Sequence, residues 1–130
     1  MSVWKKTGLE KSMPWGSEIQ IDSPFGMKGK VIHLDAGNRT SLKHYVHINQ
    51  CLYCFSGHAV VSAPNEFEFG DCIDPETGAV FELKPGDLIL IQAGNPYRIK
   101  ALEDSVLFEV LLGTHSGEFV RLEDDYGRIE

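Results

Sequence analysis

Lys84-Pro85-Gly86-Asp87-Leu88-Ile89-Leu90-Ile91-Gln92-Ala93-Gly94-Asn95-Pro96-Tyr97-Arg98 decides the fold. A turn at Pro85-Gly86-Asp87 leads into four apolar residues, and a second turn at Gly94-Asn95-Pro96 closes the run. An apolar run this short, bounded on both sides by turn residues, reads as a strand. The same rhythm recurs outward in both directions. Gly or Pro breaks the chain at positions such as Pro24, Gly37, Gly57, Pro75 and Gly113, and no window shows a convincing helical period. The pattern predicts strands over residues 19–21, 30–35, 41–48, 51–55, 59–62, 66–69, 80–83, 88–92, 97–101 and 106–112. So many short strands leave unpaired edges unless the sheet closes or two sheets pack together. The expected class is all-β.

The 130 residues suffice for one core and one domain. A composition of 42% hydrophobic and 24% charged residues is that of a globular chain. The net charge of −7 argues against nucleic acid or an anionic membrane as the main partner. No apolar run reaches the roughly 18 residues of a membrane span. Met1-Ser2-Val3-Trp4-Lys5-Lys6 lacks the apolar stretch of a secretory signal, so a cytoplasmic location is the expectation. Cys51, Cys54 and Cys72 are read as reduced thiols. A single domain over residues 1–130 is expected, with an arm at 1–18 and a strap at 114–130. The strap's Phe119, Leu122 and Tyr126 should pack on the barrel, and Arg121, Glu123, Asp124 and Arg128 should pair as ions.

Several stretches share a further property. The opening stretch resembles the second motif of the cupins, and residues 37–50 with Phe55-Ser56-Gly57 resemble the first. Pro14-Trp15-Gly16-Ser17-Glu18, Arg39-Thr40-Ser41-Leu42 and residues 119–128 are similar to the type II mannose-6-phosphate isomerases. That family also forms the C-terminal domain of mannose-1-phosphate guanylyltransferase/isomerases. The resemblance covers nearly the whole chain, in order. It implies a cupin barrel, the double-stranded β-helix or jelly-roll, as the fold. It also implies a sugar or sugar phosphate as ligand, aldose–ketose isomerisation through an enediolate, a divalent metal (zinc, manganese or iron) and a homodimer.

The family's metal ligands fall on Tyr45, His47, Gln50 and Tyr97 of this chain, so three of the four usual donors are replaced. Tyr is a poor divalent-metal ligand unless deprotonated, and Gln offers a neutral oxygen. His44, His47, Cys51 and Cys54 form a second, zinc-like string, but residues three apart on a strand face opposite sides. The expected catalytic residues are His47, His44 and Tyr97. The expected substrate contacts are Lys43, Arg98, Tyr45 and Arg39. Strand alternation puts Lys43 on the face of Tyr45 and His47, which would place an ammonium inside the cavity. His33 is assigned to an interior face, Trp15, Phe55, Phe81, Phe108 and Tyr53 to the core, and Glu18 outside the cavity strands. Three functions remain open: a sugar-phosphate isomerase, a binding module without chemistry, and a metal-free epimerase or lyase using His and Tyr as acid and base.

Overall fold

The computed structural model describes residues 3, 5–23, 27–63, 79–112 and 118–128. Among these are eleven strands: β1 (Glu10–Met13), β2 (Gly16–Asp22), β3 (Lys28–Leu34), β4 (Leu42–Tyr45), β5 (Asn49–Ser56), β6 (Ala59–Ala63), β7 (Ala79–Leu83), β8 (Leu88–Ile91), β9 (Arg98–Ala101), β10 (Ser105–Leu112) and β11 (Phe119–Glu123). The expected strand at 66–69 lies outside the described residues, as does Cys72. No helix of the described residues is long and apolar enough to cross a membrane.

The strands form two layers. One is a six-stranded antiparallel sheet in the order β1-β2-β3-β10-β5-β8. The other combines the three-stranded sheet β7-β6-β9 with the ribbon β11-β4. Bridges between Arg39 and Lys100 and between Lys43 and Tyr97 join those two pieces. Leu34, Leu52, Cys54 and Leu107 from the first layer pack on Val61, Leu83, Ile99 and Ala101 from the second. That shared core explains why the chain needs two apolar faces and no helix.

Turn chemistry sets the joints. Gly57, between β5 and β6, has φ +89°, and a Cβ there would strike the carbonyl oxygen of Asp104. Only glycine fits that turn without strain. Residues 10–18, expected as an arm, are instead part of the large sheet: β1 pairs with β2, and β2 pairs with β3.

Several burial expectations are corrected. Trp15 is buried, but Phe55, Phe81, Phe108 and Tyr53 are exposed. Phe55, Phe108 and Tyr53 stand on the outer side of the six-stranded sheet, opposite the core. His33 is also exposed, because β3 turns Ile32 and Leu34 inward. Glu18, expected outside, is buried on the inner side of β2.

Candidate functional site

At one end of the barrel, between the two layers, lies a cavity of about 200 Å³. Its wall includes Glu18, Lys30, Lys43, Tyr97, Glu109 and Arg121, with Trp15, Ser41 and Phe119 among the other lining residues. The register explains the gathering. Glu109 on β10 stands directly opposite Lys30 on β3. Lys43 on β4 stands opposite Arg121 on β11 and bridges Tyr97 through both backbone hydrogen bonds. Alternation then points all these side chains to the inner side.

Several polar groups in and beside the cavity wall are paired. Tyr45 Oη donates to Glu109 Oε1 at 3.0 Å. Tyr97 Oη donates to Gln50 Oε1 at 3.2 Å. Lys30 Nζ lies 3.5 Å from Glu18 Oε2, and Gln20 Nε2 donates to Glu18 Oε1 at 3.3 Å. Lys43 Nζ sits 4.9 Å from the centre of the Phe119 ring and 5.3 Å from that of Tyr45, so two aromatic faces attract the cation. Burial pushes the Lys43 ammonium down to about 8; Glu109 and Glu18 resist that shift, and Lys30 and Arg121 add to it. Burial, with Glu109 nearby, holds the hydroxyls of Tyr45 and Tyr97 above their ordinary value, so both stay protonated.

The expected site residues divide into three groups. Lys43 and Tyr97 line the cavity, and Tyr45 and Gln50 lie buried within hydrogen-bonding reach of its wall. His47 is exposed, because β4 ends at Tyr45 and the alternation that would have carried His47 inward stops there. His44 is half-buried, its Nδ1 3.5 Å from the Tyr45 carbonyl oxygen. Arg39 and Arg98 serve the strap instead. Arg39 Nε and Nη2 donate to Asp125 at 2.5 and 2.7 Å. Arg98 Nε donates to the Thr40 carbonyl at 2.9 Å, and its Nη atoms lie 3.9 Å from Glu123 and 3.7 Å from Asp125. Tyr126 Oη donates to the Arg39 carbonyl at 3.0 Å, and Arg128 pairs with Asp124 at 2.8 Å.

The donors at the expected metal position do not fit zinc, manganese or iron. Two are protonated phenols already donating to Glu109 and Gln50, one is an exposed imidazole, and an ammonium occupies the same wall. No cluster of three or more His, Cys, Asp or Glu suited to a metal exists among the described residues. Sequence reading missed Glu109 and Glu18. The signal for Glu109 was present: it shares strand parity with Leu107 and Leu111, both core-facing, so a lone carboxylate there points inward.

No protein-family model matches the sequence, and no curated protein matches it significantly. Solved structures do match in shape. The chain resembles the capsular polysaccharide assembling protein CapF from Staphylococcus aureus, with a TM-score of 0.72 at 15% identity over 92% of this chain. It spans only 35% of that protein. KdgF from Halomonas sp. matches with a TM-score of 0.63 at 16% identity, over 85% of this chain and 89% of its own. An uncharacterised conserved protein with a double-stranded β-helix domain from Klebsiella pneumoniae matches with a TM-score of 0.65 at 17% identity, over 94% and 86%. Two antiparallel layers closed around one core, matched over nearly the whole chain by such domains, make this fold the cupin barrel, the double-stranded β-helix.

Proposed function

We propose that the cavity binds a sugar phosphate or related sugar anion and moves a proton beside its carbonyl without a metal ion, in the manner of an aldose–ketose isomerase. The observation that carries this is the convergence of Lys43, Glu109 and Tyr97 on one small cavity, with Glu109 fixed by Tyr45. Glu109 acts as the base that takes the proton from the carbon next to the carbonyl. Lys43 stands where an ammonium stabilises the oxyanion that then develops, the part a divalent ion would otherwise play. Arg121 supplies a guanidinium for the anionic group. The likeness to CapF, named for capsular polysaccharide assembly, supports a sugar-related ligand. The free thiols of Cys51 and Cys54 support a cytoplasmic setting.

The reaction reads out as deuterium wash-in. Fructose 6-phosphate or mannose 6-phosphate incubated with the protein in D₂O should gain deuterium at the carbon beside the carbonyl, with or without EDTA. Glu109→Gln should lower that rate by about 100-fold or more. His47→Ala should leave it unchanged. Saturable binding of the sugar phosphate with no wash-in would favour a second reading, a binding module without chemistry. The hydrogen bonds that already occupy both phenols favour that reading. Neither binding nor exchange would overturn both.

A further inference from the structure

The cations of the cavity wall are not equivalent. Lys30 Nζ stands 3.5 Å from Glu18 Oε2. Arg121 donates from Nε to Ser41 Oγ at 3.2 Å and from Nη1 to the Arg128 carbonyl at 3.4 Å, and Arg128 is paired with Asp124. Lys43 differs. Among the described residues its Nζ has no hydrogen-bond acceptor and no ion pair. Its neighbours are the faces of the Phe119 and Tyr45 rings. An ion pair would hold the proton on the nitrogen. Burial without one favours the neutral amine, which is the nucleophilic form.

The backbone fixes where this nitrogen starts from. Lys43 exchanges two backbone hydrogen bonds with Tyr97 and pairs with Arg121 on its other side, so its strand is held along both edges. Glu109 lines the same cavity, tied in place by Tyr45. A nucleophile and a carboxylate able to carry protons, on one wall, are what addition to a carbonyl needs. The wall also indicates the class of ligand. It holds five cationic residues (Lys11, Lys30, Lys43, Arg121 and Arg128) against the two carboxylates of Glu18 and Glu109, in a chain of net charge −7. That local excess suits an anion. A volume of about 200 Å³ is the space of roughly seven waters, which admits the carbonyl end of a short open-chain molecule.

We propose that Lys43 forms an imine with the carbonyl carbon of a small anionic hydroxy-aldehyde or hydroxy-ketone, such as the open-chain form of a sugar phosphate. This rests on the reading of the cavity as a carbonyl site and adds a covalent step to it. The neutral Nζ adds to the carbonyl carbon, and the C=O π pair moves onto oxygen. The nitrogen sheds one proton, which Glu109 passes to that oxygen, giving a carbinolamine. A second proton, from solvent, lets the hydroxyl leave as water while the nitrogen lone pair closes the C=N bond. Counted from the lysine ammonium, a carbonyl enters, one water leaves, and no net proton, oxidant or reductant is used. The iminium is a cation, so the ring faces of Phe119 and Tyr45 that attract the ammonium also stabilise the product. It draws electrons from the adjacent carbon, which makes the proton that Glu109 abstracts more acidic.

Reductive trapping tests this. The wild-type protein, incubated at about pH 7 with glyceraldehyde 3-phosphate and sodium cyanoborohydride, should take up a reduced adduct, because hydride from the reagent turns the imine into a stable secondary amine. Peptide mapping should find it on Lys43 about 10-fold or more ahead of the exposed Lys84 and Lys100. The slow labelling of those two shows that the reagents work. Lys43→Arg keeps a positive charge but forms no adduct at that position, and its deuterium wash-in should fall by about 10-fold or more. Should that variant fail to fold, mapping of the wild type decides alone. Labelling of Lys43 no faster than that of Lys84 overturns the inference. So does wash-in at the parental rate in Lys43→Arg; the isomerase reading then survives, with Lys43 acting through its charge. An adduct on Lys43 with no wash-in keeps the imine and removes the isomerase reading instead.

Discussion

Tyr45 Oη donates a 3.0 Å hydrogen bond to Glu109 Oε1, tying β4 of one layer to β10 of the other across the buried end of the barrel. The resemblance implied a metal ligand at position 45. The structure has a phenol there that serves a carboxylate, with Glu109 only 3% exposed. A buried carboxylate stripped of a donor bears a desolvation penalty of about 1–3 kcal/mol. Tyr45→Phe should therefore lose that much stability, measured by urea unfolding, and the loss should shrink in a Glu109→Gln background. Additive losses from the two substitutions would show that the bond contributes nothing as a pair.

Tyr97 and Gln50 form the neutral counterpart. Their 3.2 Å bond involves no ion, so its net contribution should be about 0.5–1.5 kcal/mol. Tyr97→Phe should cost less than Tyr45→Phe in the same unfolding assay. The reverse order would mean that Glu109 draws its support from Lys43 and Lys30 rather than from the phenol.

The sequence revealed the layers better than the site. Turn residues around 84–98 and the strand at 106–112 gave β8 and β10 almost to the residue, because Gly and Pro mark strand ends wherever the backbone must turn. β1 was not legible: Glu10-Lys11-Ser12-Met13 has no apolar period, and only pairing with β2 makes it a strand. His47 was misplaced because alternation holds only while the strand lasts, and β4 ends at Tyr45. Glu18 was missed for a different reason. On β2 the apolar residues, Ile19 and Ile21, face outward, and the polar Glu18 and Gln20 face the cavity. Period alone would invert that strand. Only the pairing of an apolar outer face with the polar cavity that β2 lines resolves it.

Metal addition should leave the protein unmoved. A ligand that binds the native state raises the melting temperature in proportion to the logarithm of its concentration over Kd. With the phenols protonated and His47 exposed, zinc, manganese and iron(II) lack a competent set of donors. EDTA and excess metal should both shift the melting temperature by less than about 1 °C. A concentration-dependent rise lost in Tyr45→Phe or Gln50→Ala would restore the metal site.

The strap should weaken in acid. Asp124 accepts from the Arg128 backbone N–H, Nε and Nη2 at 2.7, 3.0 and 2.8 Å. Chiefly through those side-chain bonds its carboxyl is held down to about 2, against an ordinary 3.8. A carboxyl depressed in the folded state stabilises it above the ordinary value, and that contribution fades as pH falls through the folded one. Melting temperature should thus drop between about pH 4 and pH 2, and Asp124→Asn should be lower at pH 5 and flatter across the window. Parallel profiles would place the acid sensitivity elsewhere.

Lys43 should be a residue that stability alone would not retain. Its ammonium is pushed down to about 8, below an ordinary 10.5, mainly by burial, which means that folding opposes the charge. Below pH 8 the group is protonated in both folded and unfolded chains, and the full penalty applies. Between about 8 and 10.5 the unfolded chain holds the proton and the folded chain does not, so stability should rise with pH through that window. Lys43→Met keeps the aliphatic length and removes the charge. The variant should lack the rise and should be at least as stable as the wild type at pH 7, although Glu109 loses a cation nearby. The same variant should lose sugar-phosphate binding, and wild-type binding should weaken above pH 8 as the ammonium deprotonates. Proteins keep such destabilising groups where the site uses them. A variant that binds the anion as the parent does, with an unchanged pH profile, would leave Lys43 as a mere wall of the cavity and remove the cation from the proposed chemistry.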